Sequence, residues 1–392
     1  MIEPVGVGAV GLGGFGQFAL AALTKAPEVR LVAVYDEEAE RTAKVAARHG
    51  AAPCGSYEEL LAHPGVEVVY LATPPAHHGP AAIAALERGR HVWVEKPLAT
   101  SLAEAEAMAR LASSRRLRVG VDYVLRYNPM YRLARFLGEA GFLGQLRHLS
   151  LENDAADDHL PPDHWFWDAG VSGGILVEHG VHFFDIAAYL SGAEGEWESS
   201  QAWVRPRRRL VDRVVALVRF GDVPATFYHG FDKPRRIERA EFRLAYDVGY
   251  VTVKGWMPSA LELEALVDET GLSRLQEVAG RMALDCGAGR SAPVRVELDL
   301  AEPYQGGEQR ILGRELERRV THRVRLAVES IDGKETTYAR AIEAAVADFA
   351  RAVREPEHTP EVTLEQALSS LRLALAASRG AAIREPSSDA GA

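Results

Sequence analysis

Hydrophobic and polar positions follow two different rhythms along this chain, and the change falls near Arg126. Before it, short apolar runs alternate with stretches of helical periodicity. Val5–Val10, Val29–Tyr35, Val66–Ala72, Arg90–Val94 and Leu117–Tyr123 read as buried strands. Pro80–Arg88, stopped by Gly89, and the Ala/Glu-rich stretch Ser101–Ser113 read as helices. Repeated strand–helix alternation with short connections predicts a doubly wound parallel α/β sheet. In such sheets ligands sit beyond the carboxyl ends of the strands. Asp36, Thr73, Lys96 and a glycine-rich turn after the first strand all stand at such ends, so they are expected to share one crevice.

After Arg126 the pattern is one of successive strands: Gln145–Asn153, Glu198–Arg205, Val211–Phe220, Ala225–Phe231, Ala240–Asp247 and Tyr250–Lys254. It predicts a second α/β domain built on an open, mostly antiparallel sheet, with one long helix over Gly174–Leu190 inserted before its second strand. Alternation in Leu210–Phe220 suggests one face packed on helices and one left free. With no helices evident to cover it, a mostly apolar free face predicts a homodimer or homotetramer joined through it. Residues 269–320 read as a surface excursion. Helices return at Thr336–Arg354 and Thr363–Ser378, where Thr363 and Gln366 have capping-box spacing, and the chain reads as frayed after Gly380. The expected division is a Rossmann domain over 1–125 and a substrate-binding and oligomerisation domain over 126–392. Within the latter, 255–330 is a candidate insertion and 336–379 form terminal helices.

A length of 392 residues suits two domains, and 47% hydrophobic with 26% charged residues is ordinary for a soluble protein. A net charge of −10 argues against nucleic-acid or anionic-membrane binding, and no apolar run is long enough to span a bilayer. Arg205-Pro206-Arg207-Arg208-Arg209 is the one basic cluster, read as a solvated hairpin. Cys54 and Cys286 give neither a disulfide framework nor a metal spacing and suit a reducing cytoplasm. The apolar N-terminus lacks the basic region of a signal peptide.

The first strand runs into Gly11-Leu12-Gly13-Gly14-Phe15-Gly16, a G-x-G-x-x-G turn in its telling context of strand, turn, helix and second strand. Gly11 permits the tight turn, Gly13 lets backbone approach a pyrophosphate, and Gly16 lets the helix pack on the sheet; Gly14 and Phe15 belong to the same cofactor-binding turn. Asp36, ending the second strand, can accept hydrogen bonds from the adenosine ribose. With Glu37 beside it, a 2′-phosphate would be repelled, so NAD is expected over NADP.

Two further groups carry candidate chemistry. In Glu95-Lys96-Pro97, Lys96 stands at the mouth of a central strand, where its amine can donate to a substrate oxygen; an exposed loop lysine is the alternative. In Gly173–Asp185, Glu178, His182 and Asp185 are spaced i, i+4, i+7 and share one helix face. A histidine there can take a proton from an alcohol as hydride leaves, with Glu178 fixing its tautomer, while Asp185 is equally a buried structural acid. Glu178, His179 and His182, with His159 and His164 upstream, could instead ligate a metal, but neither zinc-helix pattern is present, so no metal is expected. His164, Trp165 and Trp167 suit a polyhydroxylated ligand, aromatic faces stacking on C–H faces; aromatic core packing is the alternative.

These residues resemble the Gfo/Idh/MocA oxidoreductases. The resemblance rests on Gly11-x-Gly13-x-x-Gly16, Asp36, Thr73-Pro74 with His78 following, His91-Val92-x-x-Glu95-Lys96-Pro97-Leu98, Arg126-Tyr127-Asn128-Pro129 and the Gly173-Gly174…His182…Asp185 helix. It implies a Rossmann domain followed by an open-sheet domain that commonly makes subunit interfaces, Lys96 and His182 as catalytic groups, and a cis Lys96–Pro97 bond. It adds Thr73, Pro74, His78, Glu95 and Lys96 to the cofactor set, and Arg126, Asn128 and Asp185 to the substrate set; His179, beside the catalytic pair, is a further candidate substrate contact. Glu178 stands where members often carry Asp, and His179 is a further departure. The reading is an NAD-dependent dehydrogenase of a sugar, cyclitol or related polyol. Two alternatives are redox-assisted glycoside cleavage or epimerisation with retained NAD, which NADH release would distinguish, and a sugar sensor without turnover, which retention of both Lys96 and His182 disfavours.

Overall fold

The computed structural model describes residues 3–205, 210–300, 308–310 and 317–384. The first half folds as expected. Strands β1 (Val5–Val10), β2 (Val29–Tyr35), β3 (Ala52–Pro53), β4 (Val68–Leu71), β5 (His91–Val94) and β6 (Val119–Val121) form a parallel sheet in the order β3-β2-β1-β4-β5-β6. Helices α1 (Gly14–Leu23), α2 (Ala39–His49), α3 (Tyr57–Ala62), α4 (His78–Glu87) and α5 (Leu102–Arg115) connect them. The order reverses between β1 and β4, and the crevice beyond those strand ends is where a doubly wound sheet binds its ligand. β1 and β4 are buried along their whole length, which is why they read as unbroken apolar runs.

After α6 (Pro129–Glu139), the second sheet begins with β7 (Leu146–Ala156). Three helices follow, α7 (Ala169–Ser172), α8 (Ile175–Glu178) and α9 (Gly180–Ser191), then β8 (Gly195–Val204), β9 (Val211–Phe220), β10 (Val223–Lys233), β11 (Arg239–Tyr246), β12 (Gly249–Lys254) and β13 (Ala260–Val267). The expected simple meander is corrected at one pairing: β10 lies parallel to β7, in register Ala225 with Leu149 through Gly230 with Asp154. The excursion expected over 269–320 is also corrected, because much of it extends this sheet. It contains α10 (Glu269–Ala279), β14 (Ala283–Gly287), β15 (Arg290–Asp299), the short pair β16 (Glu308–Arg310) and β17 (Glu317–Arg319), and then β18 (His322–Ser330). After α11 (Lys334–Arg354) and α12 (Leu364–Arg379), β19 (Ala381–Arg384) pairs with β8, where fraying was expected. The sheet has eleven strands in the order β14-β15-β18-β13-β12-β11-β7-β10-β9-β8-β19. Of the basic run, Pro206–Arg209 lies outside the described residues.

One face of this sheet is apolar and buried, with Leu149, Leu151, Phe227, Phe242, Leu263 and Leu326 along it. The opposite face corrects the expectation of a mostly apolar surface. It carries charged side chains in cross-strand pairs, including Arg239 with Glu152 at 3.3 Å, Lys254 with Glu262 at 2.6 Å and Arg323 with Glu264. Exposed apolar side chains on this face, Leu217 and Tyr250 among them, are interspersed with these charges. The terminal helix α11 returns to the first sheet. Its Phe349 packs on Trp93 with ring centroids 5.0 Å apart, and Gly120 makes room for that ring. Arg354, at its end, grips Glu67 with contacts of 2.6 and 2.8 Å.

Candidate active site

The glycine turn is closed on one side and open on the other. Gly11 has φ +86°, and a Cβ there would lie 2.6 Å from the Ala72 carbonyl; one on Gly16 would lie 2.1 Å from the Gly11 oxygen. Gly13 and Gly14 face open space, and Gly13 caps α1 without any side-chain hydrogen bond. Backbone N–H groups at this helix start are therefore free to receive an anion. Asp36 accepts from the Leu12 N–H at 2.7 Å, so it also braces the turn. Its other oxygen accepts from Glu38 N–H and from Arg41 Nη1, each at 2.9 Å. Arg41 also reaches Glu38, so the acidic end of β2 contains a basic residue that the sequence reading missed. Thr73 Oγ1 is buried without a partner at the end of β4. An open cradle beside an orphaned hydroxyl fits a dinucleotide.

Lys96 follows β5, and the Lys96–Pro97 bond is cis. The buried His78 ring holds this turn: Nδ1 lies 2.7 Å from the Pro97 carbonyl and Nε2 lies 2.8 Å from that of Thr73. Burial lowers the His78 pKa, opposed by those two carbonyls. Glu95 points into the protein, where Tyr70 Oη donates to it at 2.7 Å. Burial raises the Glu95 carboxyl to about 7 against the opposing pull of Tyr70 and Lys96, and burial beside Glu95 raises Asp122 as well.

The helix expected over Gly174–Leu190 is broken. α8 ends at Glu178, and α9 starts at Gly180 with His179 between them. Glu178 consequently turns to Lys96. Lys96 Nζ lies 2.5 Å from Glu178 Oε1 and 2.8 Å from its carbonyl oxygen. This corrects the expected Glu178–His182 contact: the carboxylate neutralises the lysine and does not hold the imidazole. His182 is 3% exposed and its Nδ1 has no partner in the protein. Burial, then the Lys96 charge, then His179 hold its pKa well below the ordinary histidine value. It is a neutral imidazole at pH 7.

Arg126 and Asp185 take a different place from the one read in sequence. Arg126 Nε and Nη2 donate to the two Asp185 oxygens at 2.8 and 2.7 Å, in a pair that is almost fully buried. Arg126 Nη1 also donates to Gln366 Oε1 and the Glu361 carbonyl, and Ser370 Oγ donates to Asp185. Asn128 caps α6 through Met130 N–H and donates to the Pro258 carbonyl at 2.9 Å. The polar groups of all three are occupied within the protein, so they leave nothing for a substrate.

The aromatic segment lies nearer. Phe166 and Trp167 pack on Phe231, with centroids 4.8 and 6.3 Å away, and Trp167 Nε1 donates to the Leu160 carbonyl. Trp165 stacks on His164, whose pKa is lowered by burial and by His159 and drawn up by Glu178. His179 is ringed by Phe183, His229, Phe231 and Trp256, with centroids 5.3 to 6.3 Å away. Trp256 in turn meets Tyr338 of α11, which packs on Phe15 and Phe18 of α1. His229, Phe231, Trp256 and Tyr338 carried no motif; the one signal for His229 was its place in an otherwise apolar strand.

Residues 5–123 match a family described as oxidoreductases with an NAD-binding Rossmann fold, and 131–247 match the GFO/IDH/MocA C-terminal domain. The chain belongs to the Gfo/Idh/MocA oxidoreductase family. Among the relatives of this family member, scyllo-inositol 2-dehydrogenase (NAD(+)) of Bacillus subtilis is 33% identical over 187 residues, 47% of this chain and 53% of that one. A dTDP-3,4-didehydro-2,6-dideoxy-α-D-glucose 3-reductase of Streptomyces violaceoruber is 32% identical over 178 residues, 45% of this chain and 51% of that one. The chain thus spans about half the length of these curated relatives. A 3-ketoreductase from Actinomadura kijaniata, solved with NADP and TDP-benzene, has the same fold throughout: TM-score 0.72 and 21% identity, covering 98% of this chain and 99% of that one. No helix among the described residues is long and apolar enough to cross a membrane, and no cluster among them has the makings of a metal site.

Proposed function

We propose that this family member is an NAD-dependent oxidoreductase acting on a hydroxyl of a sugar, cyclitol or related polyol. In this reading residues 1–125 hold the cofactor and 126–392 the substrate. The observation that carries the reading is the 2.5 Å Lys96–Glu178 contact, which joins the mouth of the first sheet to the helix break at His179, three residues before His182 in α9. Gly13, Gly14 and the start of α1 would hold the pyrophosphate, Asp36 the ribose, and Thr73 a polar group of the cofactor. NAD, when bound, supplies the hydride acceptor.

The chain's own residues supply the rest. His182 is neutral, so it accepts the hydroxyl proton as the carbon is oxidised and returns it in the reverse direction. Lys96 donates to the same oxygen. Glu178 balances the Lys96 charge, and that balance matters because Lys96 already depresses His182. Removing the Glu178 charge makes His182 a weaker base through Lys96, without any direct contact. Trp167 and Trp256 offer aromatic faces to a ring, while His164 and His179 offer polar edges. The test is nicotinamide absorbance with a panel of cyclitols and monosaccharides. Accumulation of NADH with at least one of them is expected, and no reduction with any would refute the reading.

A further inference from the structure

Buried polar atoms without partners concentrate at one place beside the Lys96–Glu178–His182 group. His229 on β10 is 0% exposed, and neither ring nitrogen has a hydrogen-bond partner in the protein. Asn153, its neighbour across the β7–β10 ladder, is equally buried, and its Nδ2 is also unpaired. His179 Nε2 completes the set, its ring standing edge-on to His229 at 5.3 Å. Two residues back on the same strands stand Leu151 and Phe227, both buried and apolar. The sheet face therefore turns from apolar to polar where it passes under the start of α9. Gly180 lies directly against the imidazole ring, its Cβ position 3.5 Å from His229 Nε2. Groups of this kind are costly to bury unless something bonds to them, and such exceptions call for an explanation.

Resting on the oxidoreductase reading above, we infer that His229, with Asn153 and His179, holds a second hydroxyl of the substrate ring while His182 and Lys96 serve the reacting one. Three elements of the second domain bring these groups together: β7 and β10 carry Asn153 and His229, and the helix break sets His179 beside His229 and three residues before His182. Lys96 lowers the pKa of both His179 and His182, so the second imidazole belongs to the same electrostatic neighbourhood. Burial holds His179, His182 and His229 uncharged at neutral pH. A neutral imidazole offers one donor and one acceptor, and a hydroxyl needs one of each. A carboxylate or phosphate would find no net positive charge, because Glu178 has already matched Lys96. The substrate is accordingly an uncharged diol around the reacting carbon, and the subsite discriminates against sugar acids.

The test uses the NAD-saturated protein and calorimetric titration with scyllo-inositol, D-glucose, their monodeoxy analogues and D-glucuronate. His229→Phe keeps a ring among Phe183 and Phe231 and deletes both nitrogens, and His229→Asn restores one donor and one acceptor. The wild type is expected to prefer one parent polyol over a monodeoxy analogue by about tenfold, a difference of about 1.4 kcal/mol. His229→Phe should bind parent and analogue alike, at the weaker affinity, and His229→Asn should recover part of the preference. NAD affinity and the melting temperature should stay at wild-type values in both variants. Unchanged discrimination in His229→Phe, weakened NAD binding, or glucuronate binding tighter than glucose would overturn the subsite. If no polyol binds the wild type, the oxidoreductase reading fails and takes the subsite with it. If the wild type binds and oxidises a polyol while His229→Phe keeps full discrimination, the subsite alone fails.

Discussion

Removing Arg126 should unfold this protein far more readily than it impairs ligand binding. The guanidinium and Asp185 form a two-point contact at 2.8 and 2.7 Å, with side chains 2% and 1% exposed. Burial alone raises the Asp185 pKa, and Arg126 opposes that rise, so the carboxylate depends on its partner. Arg126→Met leaves a buried acid with only Ser370 to bond it, a situation that costs about 3–5 kcal/mol. Replacing both partners with apolar residues removes the unpaired charge, and such double replacements are often neutral or stabilising by about 1–4 kcal/mol. The assay is urea unfolding of wild type, Arg126→Met, Asp185→Leu and the double variant at pH 7.5, with NAD titration as a check on the folded state. The single variants should lose most of that energy, the double variant should regain much of it, and NAD affinity should hold. Should Arg126→Met unfold like the wild type while polyol affinity collapses, Arg126 is a ligand-binding residue and the structural assignment is wrong.

Two further outcomes follow from particular side chains. Burial lowers the His179 pKa to about 3, so between that value and the ordinary 6.5 the unfolded chain binds a proton that the folded protein refuses. Its contribution is intact above about pH 6.5 and is lost as pH falls, by at most about 1.4 kcal/mol per pH unit; His179→Phe should flatten the acid limb of the stability–pH curve, and an unchanged limb would contradict the assignment. NAD should bind more tightly than NADP by at least about tenfold, as fluorescence titration would measure, and Asp36→Ser should narrow the gap by freeing Arg41 for a 2′-phosphate. Equal affinities in the wild type would refute the role given to Asp36.

The legible parts of this chain were those fixed by local chemistry. The glycine turn and β1 and β2 stood where unbroken apolar runs met Gly11 and Asp36, because buried parallel strands have few other ways to be written. The capping box at Thr363 and Gln366 was legible for the same reason, both of its hydrogen bonds lying within one turn. Long-range choices were hidden. Periodicity placed Glu178 and His182 on one helix face, but it could not see Lys96 arriving from a strand 82 positions away to bond Glu178. Nor could it tell that Arg126 and Asp185, 59 positions apart, would consume each other. The strands after Lys254 were missed because charged residues alternate on their solvent face, as in Leu261-Glu262-Leu263-Glu264 and Arg323-Val324-Arg325-Leu326, and such runs resemble polar surface until a neighbouring strand covers the apolar side. His229 stayed silent because one histidine in an apolar strand carries no spacing signal.

The central claim is that His182 moves the proton while the glycine turn and Asp36 hold the cofactor independently of it. The most direct measurement is the single-turnover rate of cofactor reduction by an active polyol in His182→Ala, with NAD affinity determined on the same sample. The rate is expected to fall by about 10²–10⁴ with NAD affinity nearly unchanged. A His182→Ala protein that reduces the cofactor at the wild-type rate would contradict the claim.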